Sequence, residues 1–370
     1  MIIGIPKEIK NHENRVSLTP DGVKQLISFN HLVLVETLAG VGSGFLDTDY
    51  LDAGATLVQT PEEIWSAEIV IKVKEPLTSE YHFLNDHLIL FTYLHLAPNP
   101  QLTKALLDSG TTSLAYETIQ LNNKNLPLLI PMSEIAGRLS VQTGAHFLEE
   151  KPGGKGLLLS GVPGVAKGSI VIIGGGTAGA NAAQIAVGIG ANVTILDINP
   201  QRLAQLENQF GTKIQTLIST PQNISKVVAT ADLVIGCVLI PGQTAPKLVT
   251  TDMVKNMTVG SVIIDVAIDQ GGIFESIDHT TTHDEPVYIK YGVQHYAVAN
   301  MPGAVPKTAT NALANVTLPY ILQLANLGLN ASLHANEALL KGLNTYQHHL
   351  TNLDVATSQG HDYVDPLTLF

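Results

Sequence analysis

Short runs of aliphatic and β-branched residues alternate with amphipathic stretches almost from end to end of this chain. In the first part, Ile2–Ile5, Leu32–Glu36, Ile69–Lys74, Leu88–Tyr93 and Ser113–Glu117 read as strands. Between them, Thr19–Asn30, with Pro20 near its start, and Pro100–Ser109 carry helical spacing. Near-continuous apolar strands separated by helices predict a parallel sheet covered on both faces. Met132–Glu149 is a long periodic stretch with Ser133 as its candidate cap, and Lys151–Gly156 reads as a loop. From Gly168 the alternation restarts, with strands expected at Ser169–Gly174, Asn192–Asp197, Leu233–Cys237, Val262–Val266 and Tyr296–Asn300. A second long helical stretch, Thr308–Leu327, is closed by Gly328. Ser332–Leu350 is also helical in pattern, with His348-His349 as a solvated helix end, and the final residues look irregular.

This order predicts an α/β chain of two doubly wound domains. The middle domain, residues 129–306, is carried between two long helices. It interrupts a discontinuous domain made of residues 1–128 and 307–370. There is no internal repeat and no low-complexity segment.

The most specific motif is Gly174-Gly-Gly176-Thr-Ala-Gly179, between a strand and the helical stretch Ala178–Gly188. Its glycines allow a tight turn and close approach to a pyrophosphate, which then meets the free N–H groups of the helix start. Asp197 closes the next strand, where an acidic side chain accepts hydrogen bonds from ribose hydroxyls and repels a 2′-phosphate. The pattern is that of a Rossmann domain binding NAD rather than NADP. A glycine cluster alone is often only a turn; here the strand, the helix and the distant acid agree. Arg202 either braces the adenosine side or is an ordinary surface residue of a helix. Ligands of such sheets bind at the carboxyl ends of the strands, which nominates Val238–Leu239, Ala267–Asp269 and Asn300–Met301 as further lining.

Composition sharpens this picture. Charged residues make up 14% and hydrophobic residues 45% of the chain, against about 25% charged in an average domain. So little charge implies surface hidden between domains and between subunits, hence a homo-oligomer. The net charge of −12, without a basic run, argues against nucleic acid. One cysteine, Cys237, excludes an internal disulfide and a cysteine-based metal site, and suits a reducing cytoplasm. No apolar run approaches the roughly 18 residues a membrane helix needs.

The strand-end rule picks four polar residues in the first domain: Arg15, Lys74, His95 and Glu117. A polar group ending an apolar strand costs desolvation unless something compensates. Each has an ordinary reading too. Arg15 and Lys74 could pair with Glu13 or Glu75, His95 could be a satisfied core histidine, and Glu117 reads as supporting rather than catalytic. Several converging on one sheet edge look more like a site.

The chain resembles the L-alanine dehydrogenase family over essentially its whole length. The resemblance rests on Gly4–Val16, Val73–Pro76, Thr92–Ala97, Pro131–Arg138, Gly161–Val165, Asp265–Gly272 and Ala299–Pro306. Parts of these are shared with the alpha subunit of proton-translocating nicotinamide nucleotide transhydrogenase. The resemblance implies that Arg15 and Lys74 hold the substrate carboxylate and keto oxygen. It makes His95 the general acid/base and Asp269 the second catalytic residue, with Tyr93 and Met132 as pocket wall. It assigns cofactor contacts to Ser133, Ala178, Gly179, Asp197, Ser219, Val238, Leu239, Ala267, Ile268, Asp269, Val298, Ala299, Asn300 and Met301, beside Gly174, Gly176 and Arg202 of the glycine-turn region. No metal is implied. Some members carry an arginine in the loop that here reads Phe274–His279, which has none.

The implied reaction is reversible oxidative deamination of L-alanine to pyruvate and ammonia with NAD, in a cytoplasmic homohexamer whose domains hinge about the two long helices. The residue types suit it: an arginine fork for a carboxylate, a lysine for charge growing on oxygen and a histidine for protons moving near neutral pH. Two rivals remain. A transhydrogenase alpha subunit would pass hydride to a second nucleotide on a partner. A non-catalytic NAD-sensing protein could discard His95 and Asp269.

Overall fold

The structure is a computed structural model that describes residues 1–238 and 245–369. Fifteen strands among the described residues form two sheets. They are β1 (Ile2–Ile5), β2 (Leu32–Glu36), β3 (Thr56–Val58), β4 (Ile69–Ile71), β5 (Ile89–Thr92), β6 (Thr112–Ala115), β7 (Ser169–Ile173), β8 (Asn192–Asp197), β9 (Ile214–Ile218), β10 (Leu233–Gly236), β11 (Val262–Asp265), β12 (Val287–Lys290), β13 (Val293–Tyr296), β14 (Leu343–Tyr346) and β15 (His349–Leu350). The chain divides into two compact units, Met1–Met132 with Val305–Phe370, and Ser133–Ala304. The helices Ile130–Phe147 and Pro306–Leu327 lie at the two points where the chain passes from one unit to the other.

In the first unit the sheet order is β15-β14-β6-β5-β4-β1-β2-β3. From β6 to β3 every pair is parallel. Every residue of β4, β5 and β6 is buried, which is why these strands read as apolar runs without alternation. The parallel register, with Ile71 opposite Phe91 and Phe91 opposite Leu114, brings the carboxyl ends of β4, β5 and β6 to one edge.

In the second unit the order is β12-β13-β11-β10-β7-β8-β9. The chain winds outward from β7 first through β8 and β9, then through β10, β11 and β13 on the other side. The order therefore reverses between β7 and β10, and ligand crevices form outside the carboxyl ends at such a reversal. Ile173, Val234, Ile263 and Phe274 belong to its core.

Several elements differ from the sequence expectation. The helix expected from Met132 starts at Ile130, so Ser133 lies inside it rather than capping it. Pro131 supplies the first turn, where its fixed φ fits and its missing N–H costs nothing. The strand expected at Tyr296–Asn300 is Val293–Tyr296. Gln294 and His295 disguised it because both are polar, yet both are buried and paired, Gln294 to the Phe147 carbonyl at 2.7 Å and His295 to Ser276 Oγ at 2.9 Å.

The tail departs furthest. Ser332–Leu350 is not one helix. Helices Leu329–Ala335 and Glu337–Lys341 are separated by Asn336, whose side chain caps the second by accepting from Ala338 N and Leu339 N. β14 and β15 follow and extend the first sheet, β14 antiparallel to β6 and β15 antiparallel to β14. His348 is in the hairpin turn with φ 66°, its Nδ1 donating to the Leu107 carbonyl at 2.8 Å, and His349 starts β15. A further helix, Leu353–Gln359, occupies the tail expected to be irregular.

β14 is pinned through its polar residues. The Thr345 hydroxyl donates to the Thr111 carbonyl at 2.8 Å and pairs with Ser113 Oγ at 2.7 Å, all buried. Thr345→Val keeps the volume but strands two buried polar atoms, so it should cost about 1–3 kcal/mol. A urea unfolding midpoint equal to that of the unaltered protein would show that this hydroxyl is not what holds β14.

Candidate active site

At the carboxyl edge of the first sheet, four loops each carry a candidate residue. Arg15 follows β1, Lys74 follows β4, Tyr93 and His95 follow β5, and Glu117 follows β6. The charges there form a buried lattice. Arg15 is 2% exposed, and Glu13 grips it with a fork, Nε to Oε1 at 2.7 Å and Nη2 to Oε2 at 2.6 Å. Burial works to raise the Glu13 carboxyl, but the Arg15 guanidinium, aided by Lys74, outweighs it and holds Glu13 below the ordinary carboxylate range. Arg15 Nη1 also touches the Met132 sulfur at 3.2 Å.

Beneath this pair lies a triad that the sequence did not announce. Lys72 is buried at the end of β4, with Nζ 2.9 Å from Glu80 and 3.3 Å from Glu8. Glu8 also accepts from Val73 N at 2.6 Å and Lys74 N at 3.4 Å, so the ions fix the backbone that presents Lys74. Burial raises the Glu8 carboxyl above its usual range, against the pull of Lys72 and the Val73 amide. The Lys74 carbonyl accepts from Thr92 Oγ1 at 3.0 Å, tying the ends of β4 and β5 together. Glu75 pairs with Lys10. Of the three, only Lys72 carried a signal in the sequence, as a charge inside the apolar run Ile69–Val73 that burial permits only with a counter-ion.

His95 is not a core histidine. Its side chain is 46% exposed, and its backbone is held in the left-handed region at φ 48°. Glu117 stabilises that conformation by accepting from His95 N at 2.7 Å and from Leu94 N at 3.1 Å. Its Oε1 lies 4.0 Å from His95 Nδ1. The Tyr93 ring stacks on the imidazole with centroids 6.0 Å apart, and its hydroxyl donates to the Leu128 carbonyl at 2.7 Å. Burial keeps that phenol neutral by pushing its pKa up.

In the second unit the glycine turn sits at the reversal between β7 and β10. Gly174 has φ 101°, and a Cβ there would lie 2.9 Å from the Cys237 carbonyl carbon and from Val238 Cγ2. A Cβ on Gly179 would lie 1.8 Å from the Gly174 carbonyl oxygen, so only glycine lets the helix Thr177–Gly188 meet its strand. Gly176 caps that helix without a side-chain acceptor, and nothing stands within 4 Å of where its Cβ would be. Open space before uncapped amides, with Ala178 in the first turn, fits a pyrophosphate.

Asp197, at the end of β8, accepts from Gly175 N at 2.7 Å and Asn199 N at 2.8 Å. Arg202 Nε donates to the Gly175 carbonyl at 2.6 Å, so it braces the glycine turn rather than standing apart. Ser219 N donates to the Asp197 carbonyl at 3.0 Å, bringing the ends of β8 and β9 together. Ala267, Ile268 and Asp269 follow β11, the first two buried and Asp269 exposed. Val298, Ala299, Asn300 and Met301 form the turn after β13, with Asn300 at φ 68°. Leu239 lies outside the described residues.

Gly137 and Arg138 close the motif Pro131–Arg138. A Cβ on Gly137 would lie 2.1 Å from the Ala178 carbonyl oxygen, so this glycine seats the helix Ile130–Phe147 against the start of Thr177–Gly188. Arg138 reinforces the seat through Asn181 Oδ1 at 2.9 Å and Gln184 Oε1 at 3.1 Å. Ser133, one turn earlier, shares the Gly137 face. Among the described residues, no group of three His, Cys, Asp or Glu could hold a metal, and no helix is long and apolar enough to cross a membrane.

Two units with parallel-dominated sheets, one built on a Rossmann-type glycine turn and the other on a charged carboxyl edge, define a two-domain α/β protein. The chain belongs to the alanine dehydrogenase/PNT family and is an oxidoreductase. It matches that family's N-terminal domain over residues 4–136 and its C-terminal domain over residues 140–353. It is 60% identical to "Alanine dehydrogenase" of Bacillus subtilis (strain 168), covering 98% of this chain and 96% of that one. It is also 60% identical to "Alanine dehydrogenase 2" of Staphylococcus aureus (strain USA300), over 98% of each. A solved "L-alanine dehydrogenase" superposes with a TM-score of 0.95 at 53% identity, covering 97% of this chain and 99% of that one. A transhydrogenase from Sinorhizobium meliloti shares the fold, with a TM-score of 0.80 at 24% identity over 95% of this chain and 99% of that one.

The glycine turn yields a paired prediction. Gly179→Ala should destabilise the protein by at least ~3 kcal/mol, since backbone must move to admit the Cβ. Gly176→Ala should stay within about 1 kcal/mol of the unaltered protein. Melting curves showing equal effects would contradict the placement of these two glycines.

Proposed function

We propose that the chain catalyses the reversible oxidative deamination of L-alanine to pyruvate and ammonia with NAD as hydride acceptor, as a cytoplasmic homohexamer. The observation that carries this reading is the gathering of Arg15, Lys74, Tyr93 and His95 at one sheet edge in a chain 60% identical to an alanine dehydrogenase. The glycine turn and Asp197 support NAD, because an acidic group at that strand end disfavours a 2′-phosphate.

In this reading Arg15 binds the substrate carboxylate. Glu13 locks the plane of the guanidinium, so the cation meets the carboxylate already oriented. Lys74 steadies the oxygen that becomes the keto group. NAD, when bound, takes up the hydride released from Cα. His95 accepts a proton from the water that adds to that carbon and returns one to the departing amine. Asp269 orients that water or steadies the protonated imidazole. Tyr93 and Met132 shape the wall against the substrate methyl. Ser133, Gly174, Gly176, Ala178, Gly179, Asp197, Arg202, Ser219, Val238, Leu239, Ala267, Ile268 and Val298–Met301 contact the cofactor.

The transhydrogenase reading is less favoured, because that likeness is 24% identical against 60% for the alanine dehydrogenases. The two part on a simple assay: purified chain, L-alanine and NAD, with reduced nicotinamide followed by absorbance. Alanine-dependent reduction is expected, and none would end the proposal.

His95→Ala should lower kcat by roughly 10²–10⁴-fold while leaving NADH affinity, measured by fluorescence titration, nearly unchanged. Near-normal turnover would remove His95 from the proton-transfer role. Asp197→Gly should shift the ratio of kcat/KM for NAD over NADP towards NADP by at least about tenfold, the equivalent of one lost charged hydrogen bond. An unaltered ratio would count against the ribose contact.

A further inference from the structure

Asp265 closes β11 and is completely buried. A carboxylate withdrawn from water is costly unless its oxygens are met by donors. Here the donors are backbone amides of the loop that follows. Oδ1 accepts from Ala267 N at 3.0 Å, and Oδ2 accepts from Ile273 N at 2.8 Å and Phe274 N at 3.4 Å. One side chain thus ties both ends of the segment between β11 and Phe274.

The segment's carbonyls are held from elsewhere. Lys247, which is exposed, donates through Nζ to the Gly271 carbonyl and to the Phe274 carbonyl, the latter at 3.2 Å. Ala245 N donates to the Gln270 carbonyl at 2.9 Å. Inside the segment, Gln270 N and Gly272 N both bond to the Ala267 carbonyl, at 3.0 and 3.1 Å. Gly272 stands at φ 68°, where a Cβ would lie 2.3 Å from Asp265 Oδ2. The glycine is there to let the carboxylate in. Asp269 rides on the short 3-10 turn Ile268–Gln270 at the middle of this clamped loop.

We infer that Asp265 and Lys247 are positioning residues for Asp269: the buried anion holds the loop by its amides, the surface cation holds it by its carbonyls, and together they fix where the Asp269 carboxylate stands. This rests on the proposed role of Asp269 in the deamination reaction. A catalytic group displaced by about 1 Å loses up to roughly 10²-fold in rate, so the clamp should register far more strongly in turnover than in cofactor affinity, which many residues outside this loop also support. Burial pushes the Asp265 carboxyl up to about 6 against the pull of its three amides and of the Lys247 charge.

The test uses the full chain and three variants, Asp265→Asn, Lys247→Met and Asp269→Asn. Asp265→Asn replaces one accepting oxygen by an NH2 donor that faces backbone N–H donors. It should lower kcat by about 10²-fold with NADH affinity within about threefold of the unaltered protein. Amide exchange over residues 266–274 should rise. Lys247→Met, at an exposed position, should keep the melting temperature, raise exchange over the same residues and lower kcat by about tenfold, a smaller displacement of the same kind. Wild-type kcat in Asp265→Asn overturns the inference, as does a fall in NADH affinity proportional to the fall in kcat. Should Asp265→Asn fail to fold, wild-type kcat in Lys247→Met overturns it instead. Asp269→Asn separates the two ideas: full activity there removes the role of Asp269 itself, whereas an inactive Asp269→Asn beside a fully active Asp265→Asn removes only the clamp.

Discussion

Charge withdrawn from water at the end of a β-strand has to be met by opposite charge or by backbone donors, and both halves of this protein are organised by that constraint. In the first unit Arg15 with Glu13, and Lys72 with Glu8 and Glu80, fill the carboxyl edge with mutually paired ions. Removing one partner of such a set leaves an uncompensated buried charge, which is far costlier than removing a surface pair. The exposed candidates, His95 above all, stand on this lattice. In the second unit Asp197 meets the Gly175 and Asn199 amides, and Asp265 meets three more. These two carboxylates set backbone geometry through amide donors.

This arrangement explains why a strained residue can persist at the centre of the site. His95 in the left-handed region is unfavourable for a side chain with a Cβ, and Glu117 offsets the strain by accepting both neighbouring amides. The result is an imidazole held at the surface of a sheet edge rather than on a free loop, which is what the proton transfer proposed for it requires.

Much of this was legible in the residues. Periodicity located the central strands of both sheets, because strands buried on two faces leave apolar runs that nothing else imitates. The strand-to-helix turn was legible because Gly174 and Gly179 each answer a particular steric need. What escaped was polar residues buried in regular structure. Gln294 and His295 hid β13, and Asn344 and Thr345 made β14 look unlike a strand, since their partners, the Phe147 carbonyl, Ser276, Thr118 and Thr111, are distant in sequence. The triad of Glu8, Lys72 and Glu80 escaped for the same reason: a charged residue in an apolar run is informative only once its counter-ion is known. Arg202 read in the sequence as an adenosine-side brace or a surface helix residue, and it donates to the Gly175 carbonyl, a contact the sequence did not indicate.

The central claim is that hydrogen leaves the Cα of L-alanine as hydride and goes directly to the cofactor. Incubating the purified protein with NAD and L-alanine deuterated at Cα, then weighing the reduced cofactor by mass spectrometry, tests it most directly. The account predicts that the deuterium is recovered in the nicotinamide ring, with L-alanine and not with D-alanine. Deuterium released to water while cofactor is reduced, or no reduction at all, would contradict it.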